Sequence, residues 1–231
     1  MLALAFAVLI GLGVWQLSRF QYKQRLQVDL DTRIAAPQLE LGAGAAPPDD
    51  LDYHRVALEG RWDIEHALTI TSRVRYDTQG EEVVVPLLPA DGGPAVLVNR
   101  GWYPLSERER VRAQLAQPQA GRVEGLARQS QGGTARRSGS GAWTTFDVQA
   151  MGGTLPYAVA SFGVVEGPRL AEEQTTPPPT LPVQGYSGFR NTTPHLEYAL
   201  TWFALAAVLA VTAYLRLFRR ARTHARAAAG V

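Results

Sequence analysis

The chain has 231 residues, 46% of them hydrophobic and 19% charged, with a net charge of +2, which suffices for one folded domain of moderate size plus membrane segments. It contains no cysteine, which excludes disulfides, thiolate chemistry and cysteine-based metal centres. Its four histidines, at 54, 66, 195 and 224, are too dispersed for an HExxH-type metal motif.

Met1 to Leu17 is a nearly charge-free apolar run, adequate as a span with snorkelling flanks at Arg19 and Lys23. A signal peptide would begin with a basic region and end at small residues, whereas this run is followed by Arg19, Tyr22, Lys23 and Arg25. It therefore reads as an uncleaved first helix. Ala3, Ala7 and Gly11 recur every fourth residue and predict a seam for a second helix carrying Ala206 and Ala210. The helix is expected to run on to about Leu30, with Ala35 to Asp50, rich in Ala, Gly and Pro, as a linker.

Short strand candidates follow at Arg55–Trp62, Ala67–Arg75, Val83–Leu88, Ala95–Asn99, Arg122–Ala127 and Tyr157–Val165, separated by turn signals such as Asp77-Thr-Gln-Gly80 and Asp91-Gly-Gly-Pro94. Strands in succession without long intervening helices imply an antiparallel sheet curled into a barrel or sandwich. Ser106–Gln117 reads as a helix within it, Asp147–Met151 as a short turn and Gln129–Gly141 as a Gly, Ser and Arg loop. Thr175–Pro182, with clustered prolines, predicts an extended tether.

From Tyr198 to Phe218 the chain is almost entirely apolar, about the 20 residues that cross roughly 30 Å of hydrocarbon. Thr193 suits the cap of this helix, Pro194 its first position, and His195 and Glu197 its first turn. Helical spacing puts His195, Tyr198, Ala199, Trp202, Leu205 and Ala206 on one face. A first-turn imidazole sits at the positive end of the helix dipole, which favours a neutral ring with a lone pair free, as an axial ligand requires. The alternative is interfacial anchoring, since Trp, Tyr and polar residues collect at the headgroup zone.

Two spans put both termini on one side of the membrane. Arg216, Arg219, Arg220, Arg222 and Arg226, crowded directly after the second apolar run, assign that side to the cytoplasm and are not read as a nucleic-acid patch. The organisation is then an α+β membrane protein: 1–18 a first transmembrane helix, 19–50 its extension and linker, 51–170 an extracytoplasmic antiparallel β-barrel or sandwich-like domain, 171–195 a Pro-rich tether, 196–218 a second transmembrane helix and 219–231 a basic cytoplasmic tail.

Several stretches resemble one known family. They are Leu12-Gly-Val-Trp-Gln-Leu-Ser-Arg19 with Lys23, Tyr53-His-Arg-Val56 with Gly60-Arg-Trp62, Val98-Asn-Arg-Gly-Trp102 with Pro104, and His195-Leu-x-Tyr-Ala-Leu-Thr-Trp-Phe203 after Arg190-Asn191. In this order they are similar to the surfeit-locus protein one family, also called Shy-one, of cytochrome c oxidase assembly factors. The resemblance implies a two-helix protein of the bacterial inner membrane with a periplasmic β-rich domain, transient binding of haem a, and help in placing it in the oxidase catalytic subunit. Partners implied with it are that subunit, haem a synthase and membrane lipid, without nucleic acid. The histidine it links to haem is His195. Many relatives have Asn directly before this histidine where the chain has Pro194.

Haem a is planar, largely apolar and carries two propionates, so a carrier needs an axial nitrogen, apolar walls and cations at the edge. His195 is expected to supply the nitrogen to the iron, Tyr198 and Trp202 with Trp15 and Leu12 the walls, and Arg19 or Lys23 the cations. Asn99-Arg-Gly-Trp102 has two readings: a structural corner with Trp102 packed inward, or a docking surface for an oxidase subunit through Arg100 and Trp102, with Arg61 and Trp62 divided the same way. His54 reads as a turn residue, and His66 and His224 show no role. No GxSxG elbow, phosphate loop or dinucleotide fingerprint is present, so the chain is not expected to be an enzyme. The competing reading is a membrane-tethered β-domain scaffold that holds oxidase subunits without touching haem.

Overall fold

A computed structural model describes residues 1–42, 49–117, 121–129, 135–170, 176–187 and 193–228, with side chains as far as Arg219. The chain divides into two units, residues 1–29 with 189–231, and residues 30–188.

The first unit is a pair of long helices, drawn from α1 (Leu2–Ala35) and α4 (His195–Ala228). Leu2–Ala35 and His195–Arg219 are each long and apolar enough to cross a membrane. Only 6% and 11% of their apolar windows are buried, whereas a core helix of a soluble protein hides most of its apolar surface. That pattern is consistent with a membrane protein. α1 continues five residues past the expected Leu30 and stops where Pro37 disfavours helix for the residue before it.

The second unit holds one seven-stranded sheet: β1 (Leu39–Leu41), β2 (Arg55–Trp62), β3 (Leu68–Arg75), β4 (Thr78–Pro89), β5 (Ala95–Pro104), β6 (Arg122–Gln129) and β7 (Val159–Glu166). The order across it is β1-β2-β6-β7-β5-β4-β3. The expected antiparallel barrel or sandwich is corrected here. The sheet is mixed, because β1 runs parallel to β2 and β7 parallel to β5. The end of β2 also pairs with β4, from Gly60 opposite Pro89 to Trp62 opposite Leu87, which curls the sheet without making a closed barrel.

β4 and β5 are buried almost throughout, as strands covered on both faces must be, and they read as continuous rather than alternating apolar runs. One face packs Val56, Leu58, Leu87, Val98, Val123 and Val164 together. Against another part lie Val111 and Leu115 of α2 (Arg108–Leu115), with Val83, Val85, Trp102 and Tyr103. α3 (Val148–Gly152) covers Ile70, Val84 and Leu97 with Val148 and Met151, and its cap Asp147 accepts a hydrogen bond from the Ala150 N–H at 3.1 Å.

Residues 181–187, expected to belong to a tether, are laid on the domain instead. Val183 and Trp102 exchange backbone hydrogen bonds, Tyr186 pairs with Leu170 and Pro168, and Leu181, Val183 and Tyr186 are buried. Arg190 and Asn191 lie outside the described residues, as do the side chains of Arg220, Arg222, His224 and Arg226.

Candidate functional site

The start of α4 is built by backbone chemistry. The first α-helical hydrogen bond runs from the Tyr198 N–H to the Pro194 carbonyl at 3.1 Å, so Pro194 holds the capping position and His195 is the first helical residue. This is one residue later than Thr193 as cap would give. The His195 ring is half-buried, and its Nδ1 lies 2.8 Å from Oε1 of Gln16 on α1. In a neutral ring whose Nδ1–H donates to that amide oxygen, Nε2 carries the lone pair. A second-sphere oxygen on one imidazole nitrogen is the arrangement that orients a ligating histidine.

The packing between these two helices differs from the expected seam. Ala3, Ala7 and Gly11 are exposed, and a Cβ on Gly11 would meet nothing within 4 Å. Gly13 is the buried small residue, where an added Cβ would fall 2.5 Å from the Phe203 ring. On α4, Ala206 is buried as expected and Ala199 is buried too, while Ala210 is exposed. Trp202 is half-buried, whereas Trp15 and Tyr198 are exposed. Arg19 is exposed, its guanidinium 5.5 Å from the ring centre of Tyr22. His195 and Gln16 thus meet across the helix pairing, Trp202 is half-buried, and Trp15, Tyr198 and Arg19 are exposed. Gln16 is absent from the residues singled out by sequence. Its signal was a lone amide inside an apolar run, where polar groups are costly and usually functional.

The Asn99–Trp102 motif is a β-bulge. Val83 pairs with Gly101 and Val84 with Asn99, so Arg100 is the extra residue on β5. Asn99 fastens the bulge: its Oδ1 accepts from the Gly101 N–H at 3.0 Å and its Nδ2 donates to Glu82 at 2.8 Å. Arg100 is buried, donates from Nε to Glu166 Oε2 at 2.7 Å, and stacks 4.1 Å from the centre of the Trp62 ring. Trp102 is wholly buried and its indole N–H donates to the Arg73 carbonyl at 3.2 Å. Both residues are committed inside the domain, which favours the structural corner over a docking role. Arg61 is exposed. The Tyr53-His-Arg-Val56 motif is likewise structural, for Arg55 donates to the Ala36 carbonyl at 2.9 Å, and Arg128 stacks 4.3 Å from the centre of the Tyr53 ring.

One cluster had no signal in the linear order. Asp63 accepts from the Tyr157 hydroxyl at 2.6 Å and lies 2.8 Å from His66 Nδ1. Burial raises the Asp63 carboxyl, but the hydrogen bonds from Tyr157 and His66 outweigh it and hold it below its ordinary value. Tyr157 is pushed up, by burial first and then by its bond to Asp63.

The chain is therefore of a defined class: an α+β protein with an apolar helix at each end of a mixed-sheet domain, the two helices joined by a histidine–glutamine contact. The sequence model of the SURF1 family matches residues 3–207, and the chain belongs to that family. It is 27% identical over 228 residues to a SURF1-like protein of Monosiga brevicollis, covering 90% of this chain and 84% of the relative. It is 28% identical over 216 residues to a SURF1-like protein of Rickettsia felis, covering 90% and 91%. With Surfeit locus protein 1 of Rattus norvegicus it shares 28% identity over 243 residues, covering 93% and 74%.

Proposed function

We propose that this protein is an assembly factor for haem-copper cytochrome c oxidase, one that binds haem a transiently through His195 and aids its delivery to the catalytic subunit. The observation that carries this reading is the 2.8 Å contact between His195 Nδ1 and Gln16 Oε1, which engages one ring nitrogen and presents Nε2 to iron in the tautomer protonated at Nδ1. The donor set fits a single axial ligand. Trp202 follows two turns along the same helix, Trp15 and Tyr198 offer exposed aromatic faces, and Arg19 supplies a cation for a propionate. Haem a, when bound, supplies the redox-active iron that the oxidase requires; the protein's part is to hold and orient it. Membership of the SURF1 family supports the oxidase role, and the two apolar helices support placement in the inner membrane, with both termini cytoplasmic and residues 30–188 periplasmic.

The test is the Soret spectrum of protein purified from cells with and without haem a synthase. Absorbance is expected only with the synthase, lost in His195→Ala and shifted or weakened in Gln16→Leu. An unchanged spectrum in His195→Ala overturns the assignment, and absence of haem in the wild-type protein leaves the scaffold reading in its place.

A further inference from the structure

A cavity of about 320 Å³ opens in the β domain, on a part of the sheet that the haem reading does not use. Three arginines line it, Arg73 and Arg75 from β3 and Arg128 from β6, together with the buried carboxylate of Glu82. Arg75 Nη2 donates to Glu82 Oε1 at 3.1 Å, Arg73 Nε stands 3.6 Å from Oε2, and Arg128 Nε donates to Asp52 at 3.2 Å. Among the described residues three guanidinium groups thus face two carboxylates, which leaves one positive charge in surplus. Arg73 Nε and Arg75 Nη1 are also buried without a hydrogen-bond partner, and a buried donor left unsatisfied is costly. Leu126, Phe146, Val148 and Val165 add an apolar patch to a wall that otherwise carries polar groups such as Asn99, Gln129 and Thr145.

We propose that this cavity binds the carboxylate of a small amphipathic monocarboxylic acid. A planar carboxylate matches the guanidinium fork and neutralises the single surplus charge, whereas a phosphate dianion would overcompensate it. The apolar patch takes the hydrocarbon or aryl body, and the volume falls at the small end of ligand pockets.

The experiment uses the full chain in detergent micelles with fluorine NMR of para-fluorobenzoate as the probe, para-fluorobenzamide as its neutral isostere, and empty micelles as background. Line broadening of the benzoate is expected at a probe concentration on the order of 1 mM, without broadening of the amide. Arg75→Gln should weaken the effect by about tenfold, from loss of a charged hydrogen bond, and Thr145→Phe, which fills the cavity but keeps the arginines, should abolish it. The exposed Arg61→Gln should leave it unchanged. Equal broadening of benzoate and benzamide, no broadening beyond empty micelles, or binding undiminished by Arg75→Gln overturns the proposal. If Arg75→Gln lowers the melting temperature, the amide comparison and Thr145→Phe decide it.

Discussion

Tyr157 and Asp63, 94 residues apart in sequence, are joined by a 2.6 Å hydrogen bond that ties the lead-in to β7 to the turn after β2. Because Asp63 is held below its ordinary value of 3.8, its bond stabilises the fold above that value and the contribution is lost as pH falls through the lower, folded-state value. Tyr157 is raised above its ordinary 10.0, so its contribution is complete below pH 10 and lost as pH rises toward the folded-state value. Tyr157→Phe should therefore cost about 1–2 kcal/mol near neutrality. The difference in unfolding free energy from wild type should be flat between these limits and shrink on both sides, as measured by urea titration at a series of pH values.

Arg100 is buried and its partner Glu166 is only 12% exposed. Arg100→Ala strands the Glu166 carboxylate in the interior and should cost about 3–5 kcal/mol. Replacing both, with Arg100→Met and Glu166→Leu, should recover most of that loss, since an apolar pair of similar volume leaves no uncompensated charge. Denaturant unfolding of the three variants measures it, and a double variant as unstable as Arg100→Ala contradicts it.

Gly101 and Gly92 separate backbone strain from steric conflict. Both have positive φ, +117° and +76°. A Cβ at Gly92 meets nothing, so Gly92→Ala should cost about 1 kcal/mol from the left-handed backbone alone. At Gly101 the Cβ would fall 2.4 Å from the Val183 carbonyl oxygen, so Gly101→Ala should cost about 2–4 kcal/mol and release residues 181–187. Limited proteolysis should show new cleavage there in Gly101→Ala and not in Gly92→Ala.

In the helix pair, Gly13→Val should disrupt the packing against Phe203, while Gly11→Val, with open space around it, should not. Hydrogen exchange of α4 amides in micelles reads the difference, with protection lost only in Gly13→Val.

Much of this architecture was visible in the linear order, and the exceptions have physical reasons. The span Arg55–Trp62 coincides with β2 because its ends carry both turn signals and a shift in polarity. The short turn read at Asp147–Met151 is α3, with Asp147 as its cap. β1 escaped because Leu39-Glu-Leu41 is too short for a period of two to emerge among Ala, Gly and Pro. The parallel pairing of β7 with β5 was hidden because no local pattern records which distant strand a segment joins. At the candidate site, His195 stood out as a lone histidine opening an apolar helix. Gln16 did not, since its meaning depends on a partner 179 residues away. The seam was misplaced onto Ala3, Ala7 and Gly11 because they carry the four-residue spacing of small residues, whereas Gly13 stands between Leu9 and Leu17 at that spacing and is marked only by the bulk of Phe203 packed against it.

β7 is the last strand of the sheet to leave the ribosome, yet it lies between β6 and β5. Until Val159–Glu166 emerges, a nascent chain carries two half-sheets with bare inner edges, whose strands pair with each other, among the described residues, where β2 meets β4. Bare edges recruit foreign strands, and closing long loops is slow. Translation products cut short before residue 159 are therefore the species that should aggregate, whereas those ending after 187 should fold.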